Sequence, residues 1–422
     1  MTGKRRDNKG RVLRSGENQR KDGKYEYKYT DIKGVRRSVY SWKLVDTDTV
    51  PKGKRCTEAL RNIEKRLQRD IEEGIDTFKG ESITLNECFT FSLQKRAKLK
   101  PTTINTYTDT YGRYIRKELG DKRIISIKPT HLYSIYASML SRGLKPATVE
   151  CLHAVLTPVF KLAKKNCWIR ADPTEGLIAE LKNEFSWDKT KKKALTEEQQ
   201  EIFINCVKES RWYSWLLPLF TFLLGTGCRI GETLGLRWED CDFSSGIITI
   251  RHTLVYKTAK SDPQCYHLGA TKSASGMRQI PMLSEVKAAL LRLRTDQLAT
   301  GFGTRLTIDG YKGFVFVSKQ ESIIRPRYVN NAILSIIMSY NERELISAAE
   351  THREPCLLPR FSAHTLRHTF CTRFCENETN LKVIQEIMGH KNISITMEVY
   401  NEATEKKKKE SFAKLEGKIK VC

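Results

Sequence analysis

Two arginines, a lysine and two histidines stand in short motifs that lead to one tyrosine. Arg229 lies in Gly225-Thr226-Gly227-Cys228-Arg229-Ile230-Gly231-Glu232, and Lys272 in Thr271-Lys272-Ser273-Ala274-Ser275-Gly276. His364 and Arg367 share His364-Thr365-Leu366-Arg367-His368; His390 follows Gly389, and Tyr400 comes ten residues later. A guanidinium stays charged and offers a planar fork that fits two phosphate oxygens. An ammonium can protonate a departing oxygen, an imidazole can pass or share a proton, and a phenol can attack phosphorus. Together these groups suit attack on a phosphodiester without a metal. Phosphoryl transfer on DNA, with no cofactor, is the expected chemistry.

Each motif also has a plainer reading. Glu232, three residues on, faces the same side and could hold the Arg229 fork in place, or the two could be a surface pair. Lys272 is one of many lysines in turns, and His390 after a helix-ending glycine could be a solvated loop residue. Tyr400 is one of 16 tyrosines. His368 is the neighbour expected to be structural. Gly225-x-Gly227 is a poor dinucleotide loop, because the run before it is helix-like and the third glycine is misplaced. His364, His368, Cys371 and Cys375 recur at helical spacing, but four ligands on one helix cannot surround a zinc ion tetrahedrally. The order of the motifs, not any one of them, carries the catalytic reading.

Elements must hold these groups in place. An apolar helix from Trp215 to Leu224 stops at Gly225-Thr226-Gly227, and a new helix opens near Arg229. Leu195-Thr196-Glu197-Glu198-Gln199 has the form of a capped helix start. Period-two runs at Gly246–Tyr256 and Arg278–Met282 predict strands, with Lys272 in the turn region before the second. Helices are expected over 284–298 and 326–349 and through most of 362–400. Val383-Ile384-x-x-Ile387-Met388 should pack one face and end at Gly389. The Lys-rich tail, Glu405 to Cys422, is either a partner-binding element or a solvated end.

Upstream, residues 82–180 read as helices, strongest over 84–97, 102–118, 129–142 and 146–165. Pro101, Pro129 and Pro146 sit near the starts of the last three, where a missing N–H costs little. Thr102, Thr103, Asn105 and Thr106 beside Lys98 and Lys100 could bind phosphate or simply cap. Residues 183–194 look like a linker. In the first 70 residues, Lys24–Tyr29 and Ser38–Lys43 alternate like strands around a turn at Lys33-Gly34. A helix follows from Thr57 to Glu73. The aromatics of the two strand-like runs, interleaved with Lys and Arg, suit a groove-reading sheet, or they are core.

Charge supports a polyanionic partner. Lys+Arg number 74 against 49 Asp+Glu, a formal +25, and residues 1–69 alone hold 21 against 9. Such an excess releases condensed counterions when phosphates are neutralised. Met1 to Arg14 are basic without an apolar segment, and no run of 18 apolar residues occurs. No leader and no membrane partner are therefore expected. Twelve cysteines without a C-x-x-C pair fit free thiols in the cytoplasm.

In this order, the motifs resemble the tyrosine recombinase family, also called the lambda-type integrases, across nearly the whole chain. The basic N-terminal sheet is further similar to integrases of conjugative transposons. The resemblance implies a multidomain fold, mainly α with small β-sheets. It would comprise an arm-type DNA-binding sheet (1–76), a helical core-binding domain (82–182), a mixed α/β catalytic domain (195–403) and a tail (404–422). The two larger domains would close as a clamp on DNA. Tyr400 would attack the scissile phosphate to give a 3′-phosphotyrosyl link, with Arg229, Arg367 and His390 stabilising phosphoryl charge. Lys272 would protonate the 5′ oxygen, and His364 would assist proton transfer or position the phosphate. Neither ATP nor a metal would be needed.

Expected partners are double-stranded DNA at element ends and target, a homotetramer working through a Holliday junction, and an excision accessory protein. The activity implied is site-specific integration and excision of a mobile element. A type IB topoisomerase shares the chemistry but would not explain the arm-like module. A catalytically silent DNA-binding regulator is the third reading.

Overall fold

The computed structural model describes residues 5–96, 99–187, 193–256, 266–270, 277–301 and 305–401. The chain divides into two units, Met1–Lys189 and Thr190–Cys422.

The first unit begins with strands β1 (Glu17–Gln19), β2 (Tyr25–Thr30) and β3 (Arg36–Ser41), antiparallel in that order. The β2–β3 register pairs Tyr25 with Ser41 and Thr30 with Arg36. Helix α1 (Leu60–Glu72) covers one face, burying Leu60 and Leu67 against Leu13, Tyr25, Tyr27 and Leu44. Tyr25 and Tyr27 are therefore core residues, not part of a groove-reading surface. Tyr40 and Trp42 do stand among cations: Arg20 and Lys24 lie over Tyr40, and Lys24 and Lys54 over Trp42. Period two alone could not say which phase faced the helix.

Next comes α2 (Thr77–Ser82), a short helix that the sequence pattern did not predict; Asp76 caps it by accepting from the Lys79 N–H. Helices α3 (Leu85–Gln94), α4 (Pro101–Tyr114), α5 (Pro129–Ser141), α6 (Pro146–Lys165) and α7 (Leu177–Glu184) follow. Thr84 and Glu87 form a reciprocal capping box on α3. Proline opens α4, α5 and α6 as expected. Thr102, Thr103, Asn105 and Thr106 occupy the first turns of α4; Lys98 lies outside the described residues. Helix α4 stops at Tyr114, short of 118, and α7 runs into the stretch expected to be linker. Tyr111, Tyr136, Leu152 and Phe160 centre a second core that is separate from the one under the sheet.

The second unit starts with α8 (Glu197–Glu209), whose Thr196 cap accepts from the Gln199 N–H. Helix α9 (Leu217–Thr226) leads to α10 (Ile230–Leu234). The predicted run Gly246–Tyr256 divides at Arg251 into β5 (Ile247–Ile250) and β6 (His252–Tyr256). These belong to different sheets: β4 (Cys241–Asp242), β5 and β8 (Arg278–Pro281) form one, and β6 with β7 (Tyr266–Ala270) the other. Helices α11 (Ser284–Thr300), α12 (Pro326–Glu350), α13 (Ala363–Asn377), α14 (Leu381–Met388) and α15 (393–401) complete it. Phe203, Phe220, Phe222, Ile333 and Leu366 lie in its main core. A smaller core joins Cys371 and Cys375 of α13 to Ile384, Met388 and Val399. The tail expected from 404 onwards lies outside the described residues. Among those described, no helix is long and apolar enough to cross a membrane.

Candidate active site

Two glycines shape the turn before Arg229, and they act differently. Gly225 is still inside α9, where an added Cβ would meet Val286 Cγ2 at 2.3 Å. Gly227 caps that helix with φ +61°, and a Cβ there would meet Phe370 Cδ1 at 2.4 Å. The left-handed turn and the close approach of α13 both require glycine. Arg229 then stands at the N-cap of α10. Glu232 accepts from the Arg229 N–H at 3.0 Å and from Arg229 Nη1 at 2.7 Å. The pair expected from spacing is formed, and the Arg229 side chain stays 42% exposed beside it.

Arg367 comes to the same place from α13. It is only 3% exposed, and donates to Gly227 O at 2.7 Å and Met388 O at 2.6 Å. Arg229 Nη2 donates to Gly389 O at 3.1 Å. Gly389, with φ +61°, ends α14 and delivers His390 into the protein, where its Nδ1 lies 2.9 Å from Thr396 Oγ1. His390 is thus buried, not a solvated loop residue. His364, three residues before Arg367, is exposed, and its charge is felt at His390.

Charge is unbalanced here. Burial and the neighbouring Arg229 bring the Arg367 pKa down to about 10. Burial, then Arg367 and Arg229, push His390 down to about 4, so the free protein holds it neutral at physiological pH. Burial would raise the Glu232 carboxyl, but the hydrogen bond and charge of Arg278, with Arg229, hold it at about 2. One carboxylate therefore faces three guanidiniums. Such a surplus of positive charge favours an anion with several acceptor oxygens.

Tyr400 lies on α15, half-buried against the small core of Cys371, Cys375, Met388 and Val399. Those cysteines are buried while His364 is exposed, so the zinc quartet considered above does not converge. His368 is half-buried on α13. Lys272 lies outside the described residues. Arg278 was missed as a site residue: it sits on β8 and pairs with Glu232 at 2.8 Å. The signal was present, since Arg278 and Ile280 alternate on the inward phase of the strand, where an unpaired arginine is rarely buried.

Residues 193–407 match the phage integrase family, and residues 1–71 match the DNA-binding domain of the Tn916 integrase. The chain belongs to the phage integrase family. It is a tyrosine-type site-specific recombinase of the integration and excision class. The transposase of transposon Tn916 from Enterococcus faecalis is 35% identical over 409 residues, covering 96% of this chain and 95% of that protein. The Tn1545 transposase of Streptococcus pneumoniae has the same identity and coverage. Among solved structures, the Tn1549 transposon integrase bound to circular intermediate DNA superposes with a TM-score of 0.66. It has 26% identity and covers 76% of this chain and 95% of that one. A lambda integrase dimer on a core site, 15% identical with TM-score 0.51, shares the recombinase fold.

Proposed function

We propose that this recombinase breaks and rejoins DNA at the ends of a mobile element through a 3′-phosphotyrosyl intermediate at Tyr400. The phenolic oxygen attacks phosphorus and passes its proton to the His364 imidazole or to water, while the bond from phosphorus to the 5′ oxygen breaks. Lys272 gives that oxygen its proton. Arg229, Arg367 and neutral His390 bind the non-bridging oxygens as charge builds on them, and His364 positions the phosphate or relays a proton. A 5′ hydroxyl from the partner duplex then reverses the step. Phosphate ester bond energy is kept in the tyrosyl link, so no nucleotide is consumed.

The observation that carries this reading is the meeting of Arg229, Arg367 and His390 on the 387–390 turn, directly ahead of α15. Exchanging both strands of two duplexes takes four cleavages with one tyrosine each, which supports a homotetramer on DNA. Residues 1–76 would hold arm sites, 82–182 the core site and 195–403 the chemistry. An excision accessory protein would set direction. The described cysteines are free thiols, in keeping with a reducing cytoplasm.

A nicked suicide duplex carrying the element's end tests the proposal. A denaturant-resistant adduct that vanishes in Tyr400→Phe is the expected result, and strand exchange between two sites separates a recombinase from a topoisomerase. Lys272→Ala should be restored by a 5′-bridging phosphorothiolate, whose thiolate leaves without a proton. An adduct that persists in Tyr400→Phe overturns the assignment.

A further inference from the structure

Three consecutive carbonyls at the end of α14 each accept a hydrogen bond from a different arginine. Ile387 O takes Arg278 Nε at 2.7 Å, Met388 O takes Arg367 Nη2 at 2.6 Å, and Gly389 O takes Arg229 Nη2 at 3.1 Å. Two of these arginines are the expected phosphate clamps. The third has no assigned role.

Arg278 is 8% exposed, on the strand phase it shares with Ile280. Burying a guanidinium is costly before pairing, and an apolar residue of similar volume is often as stable, so stability alone does not explain a cation there. Its bonds point elsewhere. Arg278 Nη2 donates to Glu232 Oε2 at 2.8 Å, while Glu232 Oε1 takes Arg229 at 2.7 Å. A single carboxylate thus yokes the two arginines. Gly389 lacks the Cβ that would come within 3.0 Å of Arg278 Nη1, so the guanidinium lies directly against the turn. The final carbonyls of a helix have no partner within it and carry its negative dipole end, so a fixed cation there holds the terminus in place.

We propose that Arg278 is a positioning residue for strand cleavage: through Ile387 O and Glu232 it fixes the 387–390 turn against Arg229. His390, and Tyr400 on the following helix, are thereby held at working distance from the phosphate. The inference rests on the roles given above to His390 and Tyr400. It differs from them in that Arg278 acts without touching DNA.

The test uses the full chain on the suicide duplex, with DNA affinity, melting temperature and single-turnover adduct formation measured together. Displacement of a catalytic group by about 1 Å costs on the order of 100-fold, so Arg278→Ala should slow adduct formation by about that factor. Its DNA affinity should stay within about twofold. Arg278→Lys keeps the charge but lacks the planar fork that spans carboxylate and carbonyl, and should recover only part of the rate. Added guanidinium ion should restore Arg278→Ala. If the alanine variant melts below the assay temperature, Arg278→Met carries the same test. A folded Arg278 variant without the guanidinium that cleaves within about threefold of the parent overturns the inference, as does a parallel loss of affinity and rate. Tyr400→Phe runs alongside: an adduct surviving there sinks the nucleophile assignment instead.

Discussion

Leu195 donates its backbone N–H to the Thr369 hydroxyl at 3.0 Å, two residues beyond Arg367 on α13. Both residues are buried. The first residues of the second unit are thus tied to the helix that carries His364 and Arg367. Arg373, four residues further on, reaches Glu197 at 2.6 Å, but that carboxylate is 87% exposed. The two ties should differ sharply in strength. Thr369→Val leaves a buried N–H without its partner and should cost about 1–3 kcal/mol, read as a drop in melting temperature. Glu197→Ala should cost less than about 1 kcal/mol. Equal losses in the two variants would refute this ranking.

Arg229 and Arg367 are both expected to bind the scissile phosphate, yet only Arg367 is buried. Arg367→Ala leaves Gly227 O and Met388 O unsatisfied in the interior, and should destabilise by about 2–4 kcal/mol as well as halting cleavage. Arg229, with its exposed side chain, should cost about 1 kcal/mol or less on truncation to alanine. Cleavage should nonetheless fall in Arg229→Ala by about 100- to 1,000-fold, the usual loss for one donor to a developing oxyanion. DNA binding should be largely kept in both. Filter binding, thermal melting and adduct yield, measured side by side, decide this; parallel loss of binding and cleavage would move these residues out of the chemistry.

Much of this site was legible in the sequence because its motifs are local. Gly225 to Glu232 announce a helix end, a turn and a new helix near Arg229 within eight residues, and that is what forms. Pro101, Pro129 and Pro146 mark helix starts for an equally local reason, their fixed φ and missing donor. Arg278 was not legible in the same way. Its partners, Glu232 and Ile387, are distant in sequence, and only the folded sheet and α14 bring them together. Strand β7 and the division of β5 from β6 at Arg251 depend on pairing, which alternation does not reveal. Tyr25 and Tyr27 show the same limit: period two said that they share a face, and α1 decided that this face is the core.

His390 should be neutral in the DNA-free protein. Its folded pKa, near 4, lies below the ordinary histidine value of 6.5 because of burial and the arginine charges. The stability it contributes is therefore complete above about pH 6.5 and lost as pH falls towards 4. Nuclear magnetic resonance of the labelled imidazole should show no protonation between pH 8 and about 5.5. Binding a duplex should raise the midpoint, since a phosphate offsets the arginine charge. A free-protein midpoint at or above 6.5 would mean that the ring is solvated and that the arginines do not surround it.

Glu232 should stay ionised well below the range of an ordinary surface carboxylate. Burial opposes its charge, yet Arg278 and Arg229 hold its pKa at about 2, against 4.5 for an unperturbed glutamate. A depressed carboxylate stabilises the fold above its unfolded pKa, so this contribution is present at neutral pH and lost between about pH 4.5 and 2. It amounts to roughly 3 kcal/mol at neutral pH. Glu232→Gln keeps the shape but removes the charge that pairs two arginines, and should cost about 3–5 kcal/mol at pH 7. The deficit should narrow on acidification below pH 4.5, as the parent loses the same charge. Chemical denaturation of both proteins across pH 3 to 7 measures this, and a deficit that does not change with pH would show that the carboxylate is not ionised between Arg229 and Arg278.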